Sequence, residues 1–297
     1  MKVIMYHYIR DINKDNTNLN ILKKKNFIKQ INLFNKQGLI SNQSELFIPN
    51  NKILLTFNDG FKDHIYAAEE LKKKNSIGIF FITSEPLRNK RTLDTHKCHF
   101  LLSRIKIKEI FIELNKYLEK KKIKNFINEN ERRKYENAYN HNNDEFDKKF
   151  FKKIINYNSN LEKKTEILNY LLKYFNIKIS SEDLYMNKKE IRYIESLGMI
   201  IGCHTENHIL LPRLTYLQQY NQINKNKIFL EKIIKKKIDF FCYPFGGKNS
   251  YNLNTFNILK KLKFKQAYSF DNRIITKNDL LKKKYELPRL DCNQFIF

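Results

Sequence analysis

The sequence predicts an α/β fold in which helices cover a parallel sheet and one long helical segment interrupts the alternation of strands and helices. Short apolar runs of strand length alternate with helical patterns before residue 85 and again after residue 185. These runs are apolar throughout, which is typical of parallel strands that are buried on both faces. Between them, residues 88–185 carry apolar side chains three and four positions apart among Lys, Glu and Asn, a pattern that predicts helices and no strand.

Three strands are predicted in the first part of the chain, with a helix after each of the first two. The strands are the apolar runs 3–9, 53–57 and 77–82, and the helices lie around 27–34 and at about 61–74. Gly38 is expected to end the first helix, because glycine readily adopts the left-handed conformation found at helix C-termini.

The same alternation returns after residue 185. The predicted strands are 199–203, 239–243 and 266–270, and the predicted helices are 188–197, 215–234 and 255–262. We therefore expect one domain of residues 1–87 and 186–297, interrupted by a mostly helical insertion of residues 88–185. A polar stretch at 137–144 is expected to be a mobile part of this insertion.

Composition excludes some classes of protein and leaves others open. Hydrophobic residues make up 41% of the 297 residues and aromatic residues 13%, which is enough to form a core and excludes wholesale disorder. The formal net charge of +26 would suit a polyanion or an anionic membrane surface. The lysine runs are dispersed beside helical patterns, however, so we expect mostly solvated helix faces, no nucleic-acid partner, and peripheral membrane contact as an alternative.

Cysteine usage and hydropathy predict a cytoplasmic location. The four cysteines lie far apart with no CxxC pair, so reduced thiols are expected instead of a disulfide framework or a zinc ribbon. No apolar run has the length of a membrane span, and the one at the N-terminus is too short for a signal peptide.

Short motifs that could carry chemistry follow three of the predicted strands. They are Asn58-Asp59-Gly60, His204-Thr205-Glu206-Asn207-His208 and Pro244-Phe245-Gly246-Gly247. In a β/α barrel, functional groups collect at the C-terminal ends of the strands, so these three motifs are expected to meet. Asp59, His204 and His208 would then form a ligand set with coordination positions left open for water and substrate. Each motif alone has a simpler interpretation, either a turn or a hydrogen-bonded histidine beside a surface one.

Together and in this order, the three motifs resemble those of the NodB-homology polysaccharide deacetylases, also called carbohydrate esterase family 4. Leu55-Thr56-Phe57-Asn58-Asp59-Gly60 resembles the TFDDG motif of that family, and His204 to His208 resembles its H-S/T-x-x-H motif. The stretch Phe241-Cys242-Tyr243-Pro244-Phe245-Gly246 is similar to its third motif, in a form without arginine.

This resemblance implies a deformed (β/α) barrel with a divalent metal, usually Zn²⁺, held by Asp59, His204 and His208. It also implies that the backbone N–H of Phe245 stabilises the tetrahedral oxyanion. Enzymes of this family remove N-acetyl groups, or sometimes O-acetyl groups, from sugars. With no signal peptide expected, the N-acetylated sugar is expected to be an intracellular precursor of a surface glycan, linked to a nucleotide or a lipid.

The chain departs from the family pattern at the position of the catalytic base, where Asn58 replaces aspartate. An amide oxygen can hold a water molecule but cannot act as a carboxylate base at neutral pH. Three explanations remain open: a deliberate substitution, a naturally inactive relative, or a substitute base. Asp63 and His64 on the following helix are candidates for that base, although they also suit surface positions in a first helical turn.

The late catalytic histidine of the family is also absent, because no histidine follows His208. His7, near the end of the first strand, and His99, at the start of the insertion, are the candidates for an acid role. His7 also suits a structural hydrogen bond, and His96 and His99 also suit a polar helix start. Of these last two, His99 is expected to point inward, since an apolar run follows it.

Two questions of function stay open at this point. A noncatalytic glycan-binding protein is an alternative favoured by Asn58, and a polyanion-binding or membrane-surface protein is an alternative favoured by the net charge. The insertion is expected either to border the pocket, with His99 and Phe100 restricting it to a small or terminal sugar, or to mediate self-association.

Overall fold

The computed structural model describes residues 1–11, 19–124, 126, 133, 145–158 and 161–295. These residues divide into two compact units. One comprises residues 1–11, 20–91 and 181–295, and the other comprises residue 19 and the described residues of 92–180. The stretch 137–144, for which mobility was predicted, lies outside the described residues.

The first unit is built on a sheet of seven strands. In chain order they are β1 (Lys2–Tyr6), β2 (Ile53–Phe57), β3 (Gly78–Ile82), β4 (Ile200–Cys203), β5 (Phe240–Cys242), β6 (Gln266–Tyr268) and β7 (Leu290–Asp291). The strand order is β6-β5-β4-β3-β2-β1-β7, and every pairing is parallel. The α/β class that the apolar runs predicted is therefore confirmed.

The helices are numbered in chain order across both units. Those of the first unit are α1 (Lys24–Gln37), α2 (His64–Lys73), α3 (Glu85–Asn89), α8 (Ser181–Leu184), α9 (Lys188–Ser196), α10 (Tyr216–Ile234), α11 (Leu253–Lys261) and α12 (Lys277–Lys282). Those of the second unit are α4 (Asp94–Arg104), α5 (Ile107–Lys120), α6 (Phe146–Lys153) and α7 (Leu161–Tyr174). Helices thus separate most of the parallel strands, as right-handed crossover connections require.

Side-chain alternation along the buried strands produces two apolar layers. Leu55 and Phe57 of β2 belong to a cluster that includes Leu71 of α2, so they face the helices. Leu54 belongs to a second cluster, made mainly of strand and loop residues such as Phe81, which fills the space inside the curved sheet. Because alternate residues of a strand share a face, Thr56 points to the same interior as Leu54.

The last part of the chain closes this interior. Lys284 accepts a backbone hydrogen bond from Ala267 of β6, and Leu287 forms a parallel bridge with Tyr268. A few residues later, β7 pairs with β1 through Ile4 and Leu290. The segment 284–291 therefore joins both edges of the sheet, which gives the deformed (β/α) barrel that the family resemblance implied.

The first predicted strand is wrong at its end. β1 stops at Tyr6, and Ile9 forms an isolated bridge with Leu22 instead of continuing the sheet. Tyr8 and Ile9 are buried, so their apolar character reflects packing against a turn and not membership of the strand.

The described regular secondary structure of the second unit is all helical, in agreement with the predicted helical character of the insertion. Its core is formed by α4, α5, α6, α7 and the π-helix Ile154–Asn158, with Leu101, Leu114, Phe151 and Leu168 among the buried side chains.

None of the helices within the described residues is long and apolar enough to cross a membrane. The four cysteines are buried free thiols.

Candidate active site

The ends of two strands bring Asp59, His204 and His208 together. Asp59 follows β2 and the two histidines follow β4, and all three side chains are at least nine-tenths buried. Asp59 Oδ1 lies 3.3 Å from His204 Nε2 and 3.4 Å from His208 Nε2. The potential ligand atoms all lie within 4.8 Å of one another. The structure therefore brings together the three residues that the sequence proposed as a ligand set.

The backbone around these residues aims their side chains. His204 Nδ1 donates to the Cys242 carbonyl over 2.8 Å, which leaves Nε2 directed at Asp59. Such a hydrogen bond from the second ring nitrogen is a common way to fix a ligating imidazole. Thr205 Oγ1 accepts from the His208 backbone N–H at 3.1 Å. Asp59, Thr205 and His208 all have positive φ, a sparsely populated conformation that is concentrated at functional sites.

This donor set fits a divalent metal ion. One carboxylate and two imidazoles are typical ligands of hydrolytic zinc sites. His204 Nε2 is buried and has no hydrogen-bond partner among the described residues, as a ligand atom awaiting an ion would. Burial lowers the pKa of His204, but Cys242 and the Asp59 carboxylate together raise it above its ordinary value. A metal cation would therefore compete with a proton for this ring.

Asn58 lies beside the ligand set and is held by an arginine that the sequence analysis did not identify. The Arg289 side chain is fully buried, and its Nη1 donates to Asn58 Oδ1 over 2.8 Å. The same Nη1 donates to Thr56 Oγ1 at 3.3 Å, and Arg289 Nε donates to the Ser269 carbonyl at 2.9 Å. The third motif lacks arginine, and the closing segment of the barrel supplies one to the same interior.

Cys242 is the remaining group in this cluster. Arg289 Nη2 lies 3.0 Å from Cys242 Sγ, and that thiol is 3.6 Å from Asn58 Oδ1. Burial raises the pKa of the Cys242 thiol, but Arg289 and His204 more than offset this and lower it below its ordinary value. Cys242 and Arg289 therefore both contact the Asn58 carboxamide and each other.

His7 reaches the site from the turn after β1. Its Nε2 lies 3.4 Å from Asn58 Nδ2, and the ring is half-buried. Burial lowers the pKa of His7, while the Asp59 and Asp291 carboxylates oppose that shift. Of the two histidines proposed for an acid role, the structure thus places His7 beside the position of the family base.

The interpretation of Asp63 and His64 as surface residues is wrong. His64 is fully buried among Phe57, Phe61 and Phe80. Its Nε2 lies 2.8 Å from the His7 carbonyl oxygen, and Asp63 pairs with Arg10 at 2.6 Å. Both side chains are thus engaged with the segment that follows β1, and neither is directed at Asn58 by a hydrogen bond in the described structure.

Phe245 lies at the third strand end. Its ring meets the His208 ring edge-to-face, with centroids 5.0 Å apart. Phe245 has a φ of 67° and is followed by Gly246, where a Cβ would lie only 2.8 Å from that of Phe270. The tight turn therefore requires glycine and keeps the Phe245 backbone next to the ligand set. An oxyanion contact from its N–H stays a prediction.

His99 lies in the second unit, on α4. The expectation that it points inward more than His96 is wrong, since His96 is buried and His99 half-buried. Their rings are 5.8 Å apart. Nearly every position from Thr95 to Ser103 is buried, so the apolar run after His99 does not identify a single inward face of this helix.

A parallel (β/α) barrel with an Asp-His-His cluster at its strand ends thus carries a site of the kind that hydrolytic metalloenzymes use. A family model described as polysaccharide deacetylase matches residues 48–267. This protein belongs to the polysaccharide deacetylase family. A search of curated protein sequences finds no match.

Solved structures similar to this protein share its fold over nearly the whole chain. The Streptococcus pyogenes deacetylase PplD in complex with acetate has a TM-score of 0.60 at 16% identity, with 98% of this chain and 91% of that chain covered. IcaB from Ammonifex degensii has a TM-score of 0.57 at 12% identity, with 99% and 93% covered. A de-N-acetylase from Aggregatibacter actinomycetemcomitans has a TM-score of 0.56 at 13% identity, with 97% and 93% covered.

Proposed function

We propose that this protein hydrolyses the acetamido group of an N-acetylated amino sugar at a site that holds one Zn²⁺ ion. The observation that carries the proposal is the convergence of Asp59, His204 and His208 next to Asn58 and His7, in the barrel of a deacetylase family. Two of the structurally similar proteins are described as a deacetylase in complex with acetate and as a de-N-acetylase, which supports an acetyl group as the one removed.

Asp59, His204 and His208 would hold the metal ion. When bound there, such an ion polarises the amide carbonyl and lowers the pKa of a bound water molecule. We propose that the backbone N–H of Phe245, whose ring packs against His208, donates to the oxyanion that develops from the carbonyl oxygen.

His7 and Asn58 are the residues that we propose act on the leaving amine and on the water. Water adds to the acetamido carbon, the C–N bond breaks, and the sugar amine leaves with a proton that His7 donates. Asn58 can orient the water through its carboxamide, but it cannot accept the proton that the water loses, so that proton passes to bulk solvent. We therefore propose that the chain with Asn58 turns over slowly.

A noncatalytic glycan-binding protein is the second candidate, and Asn58 is the observation that favours it. The buried ligand set and His7 would be retained in such a protein without turnover. A polyanion-binding role has only the net charge of +26 in its favour. The cytoplasmic location, the nucleotide- or lipid-linked form of the sugar, and peripheral membrane contact stay predictions from the sequence.

Metal content tests the ligand set directly. We expect about one Zn²⁺ per chain after loading and dialysis, and none in His204→Ala, because two remaining ligands bind such an ion weakly. Elemental analysis of dialysed protein measures both. His99→Ala is the matched control, since it removes a histidine outside the ligand set and should keep the ion. Equal metal in the chain with His204 and in His204→Ala would refute the assignment.

The size of the substrate is tested by acetate release from two acetylated compounds. We expect faster release from a nucleotide-linked N-acetylated monosaccharide than from a long acetylated polymer at equal acetyl concentration. Faster release from the polymer would show that the sugar need not be a small precursor.

A further inference from the structure

The segment 7–10, which carries His7, leaves the sheet directly after β1. Its backbone is joined to Leu22 by an isolated bridge, in which the Leu22 N–H donates to the Tyr8 carbonyl at 3.0 Å and the Arg10 N–H donates to the Leu22 carbonyl at 3.1 Å. Neither of these hydrogen bonds involves His7. The position of His7 therefore depends on further contacts.

The residues at the start of α2 make those contacts. His64 Nε2 donates to the His7 carbonyl over 2.8 Å, which requires the proton to lie on Nε2 because a carbonyl oxygen only accepts. Asp63 Oδ2 accepts from the Ile9 backbone N–H at 3.3 Å and from Arg10 Nε at 2.6 Å.

Ring contacts hold Tyr8, which lies between His7 and Ile9 in the sequence. The Tyr8 ring stacks on Phe61 with centroids 4.3 Å apart, and the Arg10 guanidinium lies 5.1 Å from the centre of the Tyr8 ring. Each of the four residues 7–10 thus contacts Phe61, Asp63 or His64 directly. We call these three residues the 61–64 clamp.

An imidazole at position 64 costs free energy of folding. The side chain is fully buried, its Nδ1 has no hydrogen-bond partner among the described residues, and burial lowers its pKa to about 3. An unsatisfied buried polar atom costs free energy that a phenylalanine in the same aromatic surroundings would avoid. The hydrogen bond to the His7 carbonyl is what the imidazole provides and a phenylalanine does not.

The clamp is also close in sequence to the ligand set. Phe61 follows Asp59 after a single residue, Gly60, whose φ is +73°. Asp59 and the residues that fasten segment 7–10 therefore lie within six consecutive residues, between the end of β2 and the first residue of α2.

We propose that Asp63 and His64 are positioning residues. They hold the His7 ring beside Asn58, where it can donate a proton to the leaving amine. The inference rests on the acid role of His7 in the proposed function. His64 acts through the backbone of His7 and does not touch the substrate. Small displacements of a catalytic group are costly, since a shift of about 1 Å can cost about 100-fold in rate.

The test compares His64→Phe, which keeps the ring packing and removes the donor, with His64→Gln, whose Nε2 can donate to the same carbonyl. Turnover is measured in the chain with Asn58 and in Asn58→Asp. We expect His64→Phe to lower kcat about 10-fold or more with little change in KM, and His64→Gln to restore most of the loss. Backbone amide exchange in segment 7–10 should rise in His64→Phe and return towards its original rate in His64→Gln.

A second arm separates positioning from general stability. In a His7→Ala background, His64→Phe should cause no further loss of kcat, because the clamp acts only through His7. Tyr193→Phe is the matched control: it removes a hydrogen bond of 3.0 Å from α9 to Glu69 on α2 without touching segment 7–10, and should leave kcat and the exchange of that segment unchanged.

Two kinds of outcome would overturn the inference, and they differ from failure of the proposed function. Unchanged exchange of segment 7–10 in His64→Phe, or a loss of kcat that persists in full in the His7→Ala background, would refute the clamp. Unchanged kcat in His7→Ala would refute the acid role of His7 and with it the catalytic purpose of the clamp. If no variant releases acetate, the amide exchange alone decides whether His64 holds the segment.

Discussion

The Asn58→Asp variant is expected to release acetate from an N-acetyl amino-sugar about 100-fold faster than the chain with Asn58, or more, with unchanged metal content. The reason is that a carboxylate at this position can take the proton of the attacking water, whereas a carboxamide cannot. The two side chains have nearly the same shape, so the fold and the ligand set should stay as they are. Acetate release and elemental analysis of the same preparations measure the two quantities.

The new carboxylate is also expected to act on His7. Asn58 Nδ2 lies 3.4 Å from His7 Nε2, so an aspartate would place a negative charge beside the ring. Such a charge raises the pKa of His7 and opposes the lowering caused by burial. A larger fraction of His7 would then carry the proton that the leaving amine needs, and the fall in rate at high pH should move to higher pH.

Asn207→Asp is the control for this experiment. Asn207 is exposed and lies in the histidine motif, so its replacement adds the same charge near the site without placing a base beside the water. It should leave acetate release nearly unchanged. High activity with Asn58 that does not rise in Asn58→Asp would mean that another group acts as the base, and the account of this position given above would be wrong.

The strands that could be predicted from the sequence are those that form an apolar run of several residues. β2 has the bounds of the apolar run 53–57, since it lies inside the sheet and both of its faces are covered. The two-residue strand β7 was not predicted, because Leu290–Asp291 is too short to show any periodicity. Its pairing with β1 depends on the closure of the whole barrel.

The site shows the same division. Asp59, His204 and His208 could be proposed because each lies within a short motif directly after a strand. Arg289 lies 231 residues from Asn58 in sequence, and its hydrogen bond to that side chain exists only because segment 284–291 closes the barrel. No local pattern marks Arg289, because it lies in Leu287-Pro288-Arg289-Leu290-Asp291, where charged and apolar residues are mixed.

His64 illustrates a different limit. Its position in the first turn of a helix suits an exposed residue equally well. What buries it is the meeting of Phe57, Phe61 and Phe80 around one ring. Phe61 is near in sequence, but Phe80 comes from the next strand, so the burial of His64 follows from packing between elements that no local pattern records.

Arg289 carries a buried positive charge next to Asn58. The guanidinium is fully buried, and its described hydrogen-bond acceptors are an amide, a hydroxyl, a thiol and a backbone carbonyl, with the Phe81 ring centre 5.8 Å away. A buried charge without a carboxylate partner costs several kcal/mol of desolvation that neutral acceptors repay only in part. With Asn58 in place, Arg289 should therefore contribute little net stability.

The second large effect is that the stability contribution of Arg289 depends on residue 58. Arg289→Met in the chain with Asn58 should lower the free energy of unfolding by less than about 1 kcal/mol, because the lost hydrogen bonds are offset by relief of a buried charge. In the Asn58→Asp background, the same change should lower it by about 3–5 kcal/mol, since it leaves a buried carboxylate without its partner. Urea denaturation of the chain with Asn58, the two single variants and the double variant measures the coupling between residues 58 and 289.

Arg192→Met, at an exposed position of α9, is the control and should show no coupling to residue 58. Equal losses in both backgrounds would mean that Arg289 stabilises the barrel independently of residue 58, and that its contact with this side chain is incidental.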